Sequence, residues 1–341
     1  MNRYFSTFFT GFSKVVNKAL TETLHDVKIE KLVDGLVIYS TQANLEEIRK
    51  IEYFNNSFVL SENYEGCDEN SVNLILSDAI SNKNVIRIIG EFPVINESAF
   101  RVRASVKNQF VSMDENLLVQ FEDLIMRNNR NLVLDRRGAE IEFSINIRSE
   151  GFGLLGILFT QRPNYEKTLD KGELYPELGY LLNLVSKPVE NGVFLDPFAG
   201  YGGILFQACK FNYQKVIGID KQPVLAKKLE IKSSRLGLNT EIYCKDYFGW
   251  ETEVGVVDRI VTDPPWGFFE KTDEPLEDFY SKTLDKSYVL LKIDGIIVIL
   301  TAQTSMFDHL LTSFKNKFEK IDYLTTIVSG KIVGVYVLKK I

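Results

Sequence analysis

Val193-Phe194-Leu195-Asp196-Pro197-Phe198-Ala199-Gly200-Tyr201-Gly202-Gly203 passes from a short apolar run through an acid-proline step into a glycine-rich turn. The run ending at Asp196 reads as a strand buried on both faces, and the glycines let the backbone turn sharply and approach whatever lies at the strand's carboxyl edge. In open α/β sheets that edge is where ligands bind. Taken alone, the turn fits either a plain tight turn or a nucleotide site, and a helix is expected to begin near Gly203 or Ile204.

Downstream, short apolar runs alternate with helical segments, which predicts a mostly parallel sheet covered on both faces. Strands are expected over 193–196, 216–220, 241–244, 259–263, 295–300, 321–328 and 331–338. The last two are joined through Ser329-Gly330, so the sheet should end in an antiparallel hairpin. Asp220, followed by Lys221, ends the second strand, where a carboxylate can accept both hydroxyls of a ribose. Dinucleotide and S-adenosylmethionine sites share that feature. The turn after Asp196 does not follow the G-x-G-x-x-G pattern of a pyrophosphate-binding helix start.

The fourth strand runs into Thr262-Asp263-Pro264-Pro265-Trp266-Gly267. Two prolines and a glycine could simply end a strand. They also suit a definite chemistry. An exocyclic amine on a base is a weak nucleophile, because its lone pair is delocalised into the ring, so the amine must be aimed and polarised. The Asp263 carboxylate and the Pro264 carbonyl can each accept an N–H, Pro265 stiffens the turn, and Trp266 can stack on a base. Cys209 falls in the expected helix after the glycine turn and reads as a core residue.

The front half is a different α/β arrangement. A strand over 3–9, a helix over 11–24, a hairpin of strands 27–32 and 36–40 across Val33-Asp34-Gly35, and a helix over 45–51 are expected. The polar stretch 61–71 reads as a linker or loop. Beyond it come strands over 100–106, 140–148 and 154–159, and a helix over 114–126 that Ser112 and Glu115 would open as a capping box.

The 341 residues are 45% hydrophobic and 25% charged, an ordinary globular balance with room for two or three domains. Three scattered cysteines and two histidines support neither a disulfide framework nor a metal site, and a reducing, cytoplasmic compartment is expected. The apolar run over 288–300 is broken by Lys292 and Asp294, so no membrane segment is expected. A net charge of −6 argues against coating nucleic acid through a broad positive field, and any such contact must be local.

Together, Asp196 to Gly203, Asp220, Asp246 and Asp263 to Gly267 resemble the THUMP-domain-containing class I S-adenosylmethionine-dependent RNA guanine-N2 methyltransferases. The opening Phe5-Ser6-Thr7-Phe8-Phe9-Thr10-Gly11-Phe12 is similar to that family's ferredoxin-like domain, and Phe100-Arg101-Val102-Arg103-Ala104 through Ile145 is similar to its THUMP core. The resemblance implies a Rossmann-like seven-stranded methyltransferase domain over 175–341, preceded by a ferredoxin-like domain over 1–62, a THUMP-like domain over 63–160 and a linker over 161–174. It implies S-adenosylmethionine as cofactor and structured RNA, above all tRNA, as substrate. The implied cofactor contacts are Leu174, Pro176, Asp196, Pro197, Phe198, Ala199, Gly200, Gly202, Asp220, Lys221, Asp246, Tyr247 and Asp263. Asp246 would sit beside the adenine amino group, or else serve only as a strand-end turn residue. Asp263, Pro264, Pro265 and Trp266 would be catalytic, and Arg101, Arg103, Arg136 and Arg137 the favoured phosphate contacts. Trp266 is a departure, since the family often has tyrosine or phenylalanine there. DNA amino methylation, methylation of ribosomal RNA, and RNA binding by a vestigial cofactor fold are the alternatives.

Overall fold

The computed structural model describes residues 1–94, 96–160, 169–170, 172–268, 272 and 274–341. Of the expected linker, residues 161–168 and 171 lie outside the described residues. The chain forms two compact units, Met1–Thr7 with Thr23–Pro163, and Phe8–Glu22 with Asn164–Ile341.

In the first unit, β1 (Asn2–Thr7), β2 (Lys28–Val33), β3 (Leu36–Thr41) and β4 (Asn56–Glu65) pair antiparallel in the order β2-β3-β1-β4. Gly35, at φ 81°, supplies the left-handed residue of the β2–β3 turn. Helix α1 (Ser13–Thr23) follows β1, and its residues up to Glu22 cluster with the second unit. Helix α2 (Leu45–Arg49) is opened by a reciprocal capping box between Asn44 and Glu47.

The same sheet continues past the expected domain boundary. Strand β4 pairs with β9 (Phe152–Leu158), β9 with β8 (Ile141–Ile147), and β8 with β5 (Ser98–Val106), which is flanked by β6 (Gln109–Val111) and β7 (Leu132–Leu134). The boundary expected between residues 62 and 63 therefore falls inside β4. The first part of the polar stretch 61–71 is strand and not loop, because the pairing of β4 with β9 runs out to Glu65 opposite Phe152. A ladder satisfies backbone groups whatever the side chains, and polar ones are tolerated where a face is open to water.

Helices α3 (Val72–Ser81), α4 (Lys83–Glu91) and α5 (Glu115–Asn128) pack against one another in this unit. The first two lie in a stretch where no helix is expected from the sequence, and Asn82 caps α4 by accepting the Asn84 N–H at 3.0 Å. The expected Ser112–Glu115 capping box does not form. Asp114 is the cap and accepts the Leu117 N–H at 3.0 Å.

In the second unit, β10 (Val193–Asp196), β11 (Lys215–Asp220), β12 (Glu241–Cys244), β13 (Val257–Thr262), β14 (Leu291–Thr301), β15 (Phe318–Val328) and β16 (Lys331–Lys340) form a seven-stranded sheet in the order β12-β11-β10-β13-β14-β16-β15. All neighbours are parallel except those of β16, so the sheet ends in the anticipated hairpin. Ser329 and Gly330, at φ 50° and 75°, give the two consecutive positive angles that a tight hairpin demands. Strand β14 starts earlier than expected because its register with β13 jumps from Val257–Leu291 to Arg259–Ile296, with Asp294 in the left-handed region between.

Besides α1, the described residues of this unit hold α6 (Pro176–Val185), α7 (Leu205–Ala208), α8 (Pro223–Leu236), α9 (Leu276–Leu290) and α10 (Thr304–Phe314). Leu195, Ile219, Ile260 and Ile299 from four strands pack with Tyr280 and Leu284 of α9 and Phe307 of α10 in one fully buried cluster. Each such side chain contributes about 1.5–3 kcal/mol by burial, which holds the strand ends in fixed relation. Among the described residues no helix is long and apolar enough to cross a membrane.

Candidate active site

Parallel pairing sets the ends of β10, β11, β12 and β13 on one edge, and with them Asp196, Asp220, Cys244 and Thr262. The connections run in opposite directions on either side of β10, which makes this edge the usual ligand position in doubly wound sheets.

The turn after β10 is tied to β11 twice. Ala199 donates its N–H to the Ile219 carbonyl at 2.9 Å, and Gly200 donates to Asp220 Oδ2 at 2.9 Å. Asp220 Oδ1 accepts the Gln222 N–H at 2.7 Å, so both carboxylate oxygens are oriented while each keeps a further lone pair. Burial raises the Asp220 pKa, against those two backbone bonds and the adjacent Lys221, which lower it. Lys221 itself is exposed. At Gly200, φ is 52° and an added Cβ would meet only the Phe198 carbonyl, at 3.9 Å, so the space over the turn is open.

Behind the turn, α6 comes close enough to require a glycine that sequence reading did not single out. A Cβ on Gly179 would lie 2.0 Å from the Gly203 carbonyl oxygen, and one on Gly203 3.0 Å from that of Leu174. Asn183 donates to the carbonyls of Gly179 and Ile204, stitching α6 to the segment that follows the turn. Leu174 is buried just ahead of Pro176, which opens α6. Gly202, at φ 85°, closes the turn by donating to the Ala199 carbonyl at 2.7 Å.

Two of the expected cofactor contacts have internal side chains instead. Asp196 is 1% exposed, and its Oδ1 accepts the Thr262 hydroxyl at 3.0 Å and the Phe198 N–H at 3.3 Å, which braces the end of β10 against that of β13. Burial pushes its pKa up to about 7, with the Asp220 charge adding to the rise and the two hydrogen bonds opposing it. Tyr247 is buried, its hydroxyl 3.1 Å from that of Ser287 and its ring packed edge-on against Phe198. Pro197 and Ala199 are buried, whereas Phe198 is half-buried. Asp246 is exposed and caps the turn that follows β12, accepting the Phe248 N–H at 2.7 Å. Lys286 of α9 fixes that turn by donating to the Phe248 and Trp250 carbonyls.

Asp263-Pro264-Pro265-Trp266 leaves the end of β13 with Asp263 half-buried and Pro264 buried. The Trp266 indole N–H donates to the Leu300 carbonyl at 3.3 Å, and the Trp266 carbonyl accepts Nε2 of Gln303 at 2.6 Å. The Pro265 carbonyl accepts the Tyr280 hydroxyl at 3.2 Å. Gly267, at φ 78°, turns the chain away. The motif is thus a rigid turn presenting a carboxylate, a carbonyl and an indole, which suits aiming and polarising an amine.

The arginines of the first unit are unequal. Arg101 is paired with the buried Glu142 at 2.7 Å, its cross-strand partner. Arg136 makes a two-pronged contact with the buried Glu122, at 3.0 and 2.7 Å. Arg103 lies 3.7 Å from Glu142 and stacks over the exposed Phe110 ring at 4.8 Å, and Arg137 is exposed.

Residues 163–324 match the family model described as UPF0020, RMKL-like, methyltransferase domain. The chain is 25% identical over 303 residues to the tRNA (guanine(10)-N2)-dimethyltransferase of Methanocaldococcus jannaschii, covering 80% of this chain and 81% of that protein. It is 33% identical over 137 residues to a protein of Methanothermococcus thermolithotrophicus named "Probable tRNA (guanine(10)-N2)-dimethyltransferase", covering 38% of this chain and 80% of that one. The crystal structure of TrmN from Thermus thermophilus superimposes with a TM-score of 0.80 at 18% identity, covering 100% of both chains.

Proposed function

This chain belongs to the THUMP-domain-containing class I S-adenosylmethionine-dependent RNA guanine-N2 methyltransferase family, and from that premise we propose that it methylates the exocyclic N2 of a guanine in tRNA. The observation that carries the reading is the Asp263-Pro264-Pro265-Trp266 turn, set on the sheet edge that presents Asp220 two strands away. Two strand spacings amount to about 10 Å, room for a nucleoside held at one end and a reacting group at the other.

The residues present fit S-adenosylmethionine. Asp220 has lone pairs left for two ribose hydroxyls, the glycine turn leaves open space above it, and Asp246 stands at the neighbouring strand end. When bound, the cofactor supplies a methyl group that already carries its leaving group, so neither a covalent nucleophile nor a strong base is needed from the protein. Asp263 would accept one N–H of the guanine amine, draw electron density onto the nitrogen and take up, for release to water, the proton that the nitrogen sheds once it carries the methyl group; the Pro264 carbonyl would accept the other N–H and Trp266 would stack on the base. In the first unit, Arg103 and Arg137 are the better phosphate contacts, because Arg101 and Arg136 are already matched to buried carboxylates.

The test is incubation with labelled S-adenosylmethionine and an unmodified tRNA transcript, followed by digestion to nucleosides. Label in N2-methylguanosine is expected. Label in N6-methyladenosine would defeat the base assignment.

A further inference from the structure

Two peptide carbonyls of the catalytic turn are held by side chains far along the chain. Tyr280 of α9 donates to the Pro265 carbonyl, and its hydroxyl lies 2.8 Å from that of Thr301 at the end of β14. The Thr301 hydroxyl accepts the Gln303 backbone N–H at 3.1 Å, and the Gln303 side chain donates to the Trp266 carbonyl at 2.6 Å.

Proton counting orders this chain of contacts. A carbonyl can only accept, so the single phenolic proton of Tyr280 goes to Pro265. The Thr301 proton must then go to the Tyr280 oxygen, leaving a Thr301 lone pair for the Gln303 N–H. Every donor has one acceptor, and the chain closes on two successive peptides, Pro265 and Trp266. Tyr280 and Thr301 are both fully buried, so water cannot substitute for either hydroxyl. Burial is also the main force raising the Tyr280 pKa, with the nearby Asp263 charge adding to it, so the phenol stays a donor at any working pH.

We propose that Tyr280, Thr301 and Gln303 are positioning residues for methyl transfer: they hold the Pro265 and Trp266 peptides, and through them Asp263, in the orientation that receives the amine. The inference rests on the amine-methylating reading of the same site. None of the hydrogen bonds that Tyr280, Thr301 and the Gln303 side chain make above goes to the cofactor-holding turn at Gly200 and Asp220. Their loss should therefore change turnover and leave cofactor binding intact.

The experiment compares Y280F, T301V and the double variant with the wild type in steady-state assays on an unmodified tRNA transcript, alongside calorimetric binding of S-adenosylmethionine. Each single variant should lower kcat by about tenfold to a hundredfold, the scale expected for small misplacement of a reacting group, with cofactor Kd within threefold of wild type. The double variant should be no slower than the slower single variant by more than about twofold, because both hydroxyls serve one chain. T301S, which keeps the hydroxyl, should recover most of the rate lost in T301V. Should Y280F fail to fold, Q303A reports on the other end of the chain by the same readouts. Unchanged kcat in folded variants, equal losses in kcat and cofactor affinity, or strictly multiplicative effects in the double variant would overturn the proposal. Total methyl incorporation reads the positioning effect and nucleoside identity reads the base assignment, so the two can fail separately.

Discussion

The Gly200 backbone N–H and the Asp220 carboxylate are joined at 2.9 Å, which fastens the glycine-rich turn after β10 to the acid that ends β11. One side chain thus shapes the turn and ends the strand beside it. Asp220→Ala removes the anchor of the turn together with the proposed acceptor for a ribose. A hydrogen bond to a charged group contributes about 1.5–3 kcal/mol, so the Kd for S-adenosylmethionine should rise by roughly ten- to a hundredfold. Isothermal titration calorimetry measures this directly, and an unchanged Kd would remove Asp220 from the cofactor site.

Asp263→Ala leaves that anchor in place and deletes the carboxylate proposed to polarise the amine. Loss of a preorganised partner of the reacting group costs on the order of 10²–10³ in kcat. Cofactor Kd should stay within about threefold of wild type. Turnover at the wild-type rate would show that the amine is activated elsewhere.

Asp196 predicts a pH signature in stability. Its folded pKa, about 7, lies above the ordinary carboxyl value, so between those two values the folded state holds a proton that the unfolded state has released. Its contribution is fully present below the unfolded pKa and is lost as pH rises through about 7. Asp26, Glu30, Asp68 and Asp135, whose pKa values are lowered, act in the opposite sense at lower pH, so the informative quantity is a difference between proteins. Asp196→Asn keeps an acceptor for Thr262 and Phe198 and cannot ionise. Relative to wild type, its Tm should therefore gain steadily between about pH 4 and pH 7. A pH-independent difference would mean that Asp196 titrates normally.

Arg101 and Arg137 should separate stability from RNA binding. Arg101→Ala leaves the buried Glu142 without its closest partner and should cost about 3 kcal/mol in urea unfolding. Arg137→Ala should leave the urea midpoint unchanged while weakening tRNA binding and reducing the slope of log K against log salt by about 1. Equal effects of the two substitutions on stability would contradict this division.

Much of the catalytic unit was legible in its sequence, because the signals there are local. The strands 193–196 and 241–244 coincide with those found, since short apolar runs ending in turn chemistry leave little freedom in their limits. The positions of Asp220 and of the Asp263 to Trp266 turn are equally plain, as both sit where a strand stops. In the first unit the cap of α5 is Asp114 and not Ser112, because the two compete for one position, and residues 61–65 of the stretch expected as linker or loop are strand, because polarity says nothing about whether a backbone has a partner.

What the order of residues determined by itself was the alternation of elements, the chemistry of the turns and the acids at the strand ends, all set by neighbours a few positions apart. Only tertiary structure decided that Asp196 faces inward, that Gly179 must be small because Gly203 presses on it, that Arg101 meets Glu142, and that Tyr280, Thr301 and Gln303 gather behind Pro265 and Trp266. Those relations join residues 15 to 66 positions apart, and they exist because strand register and core packing bring distant segments to one place.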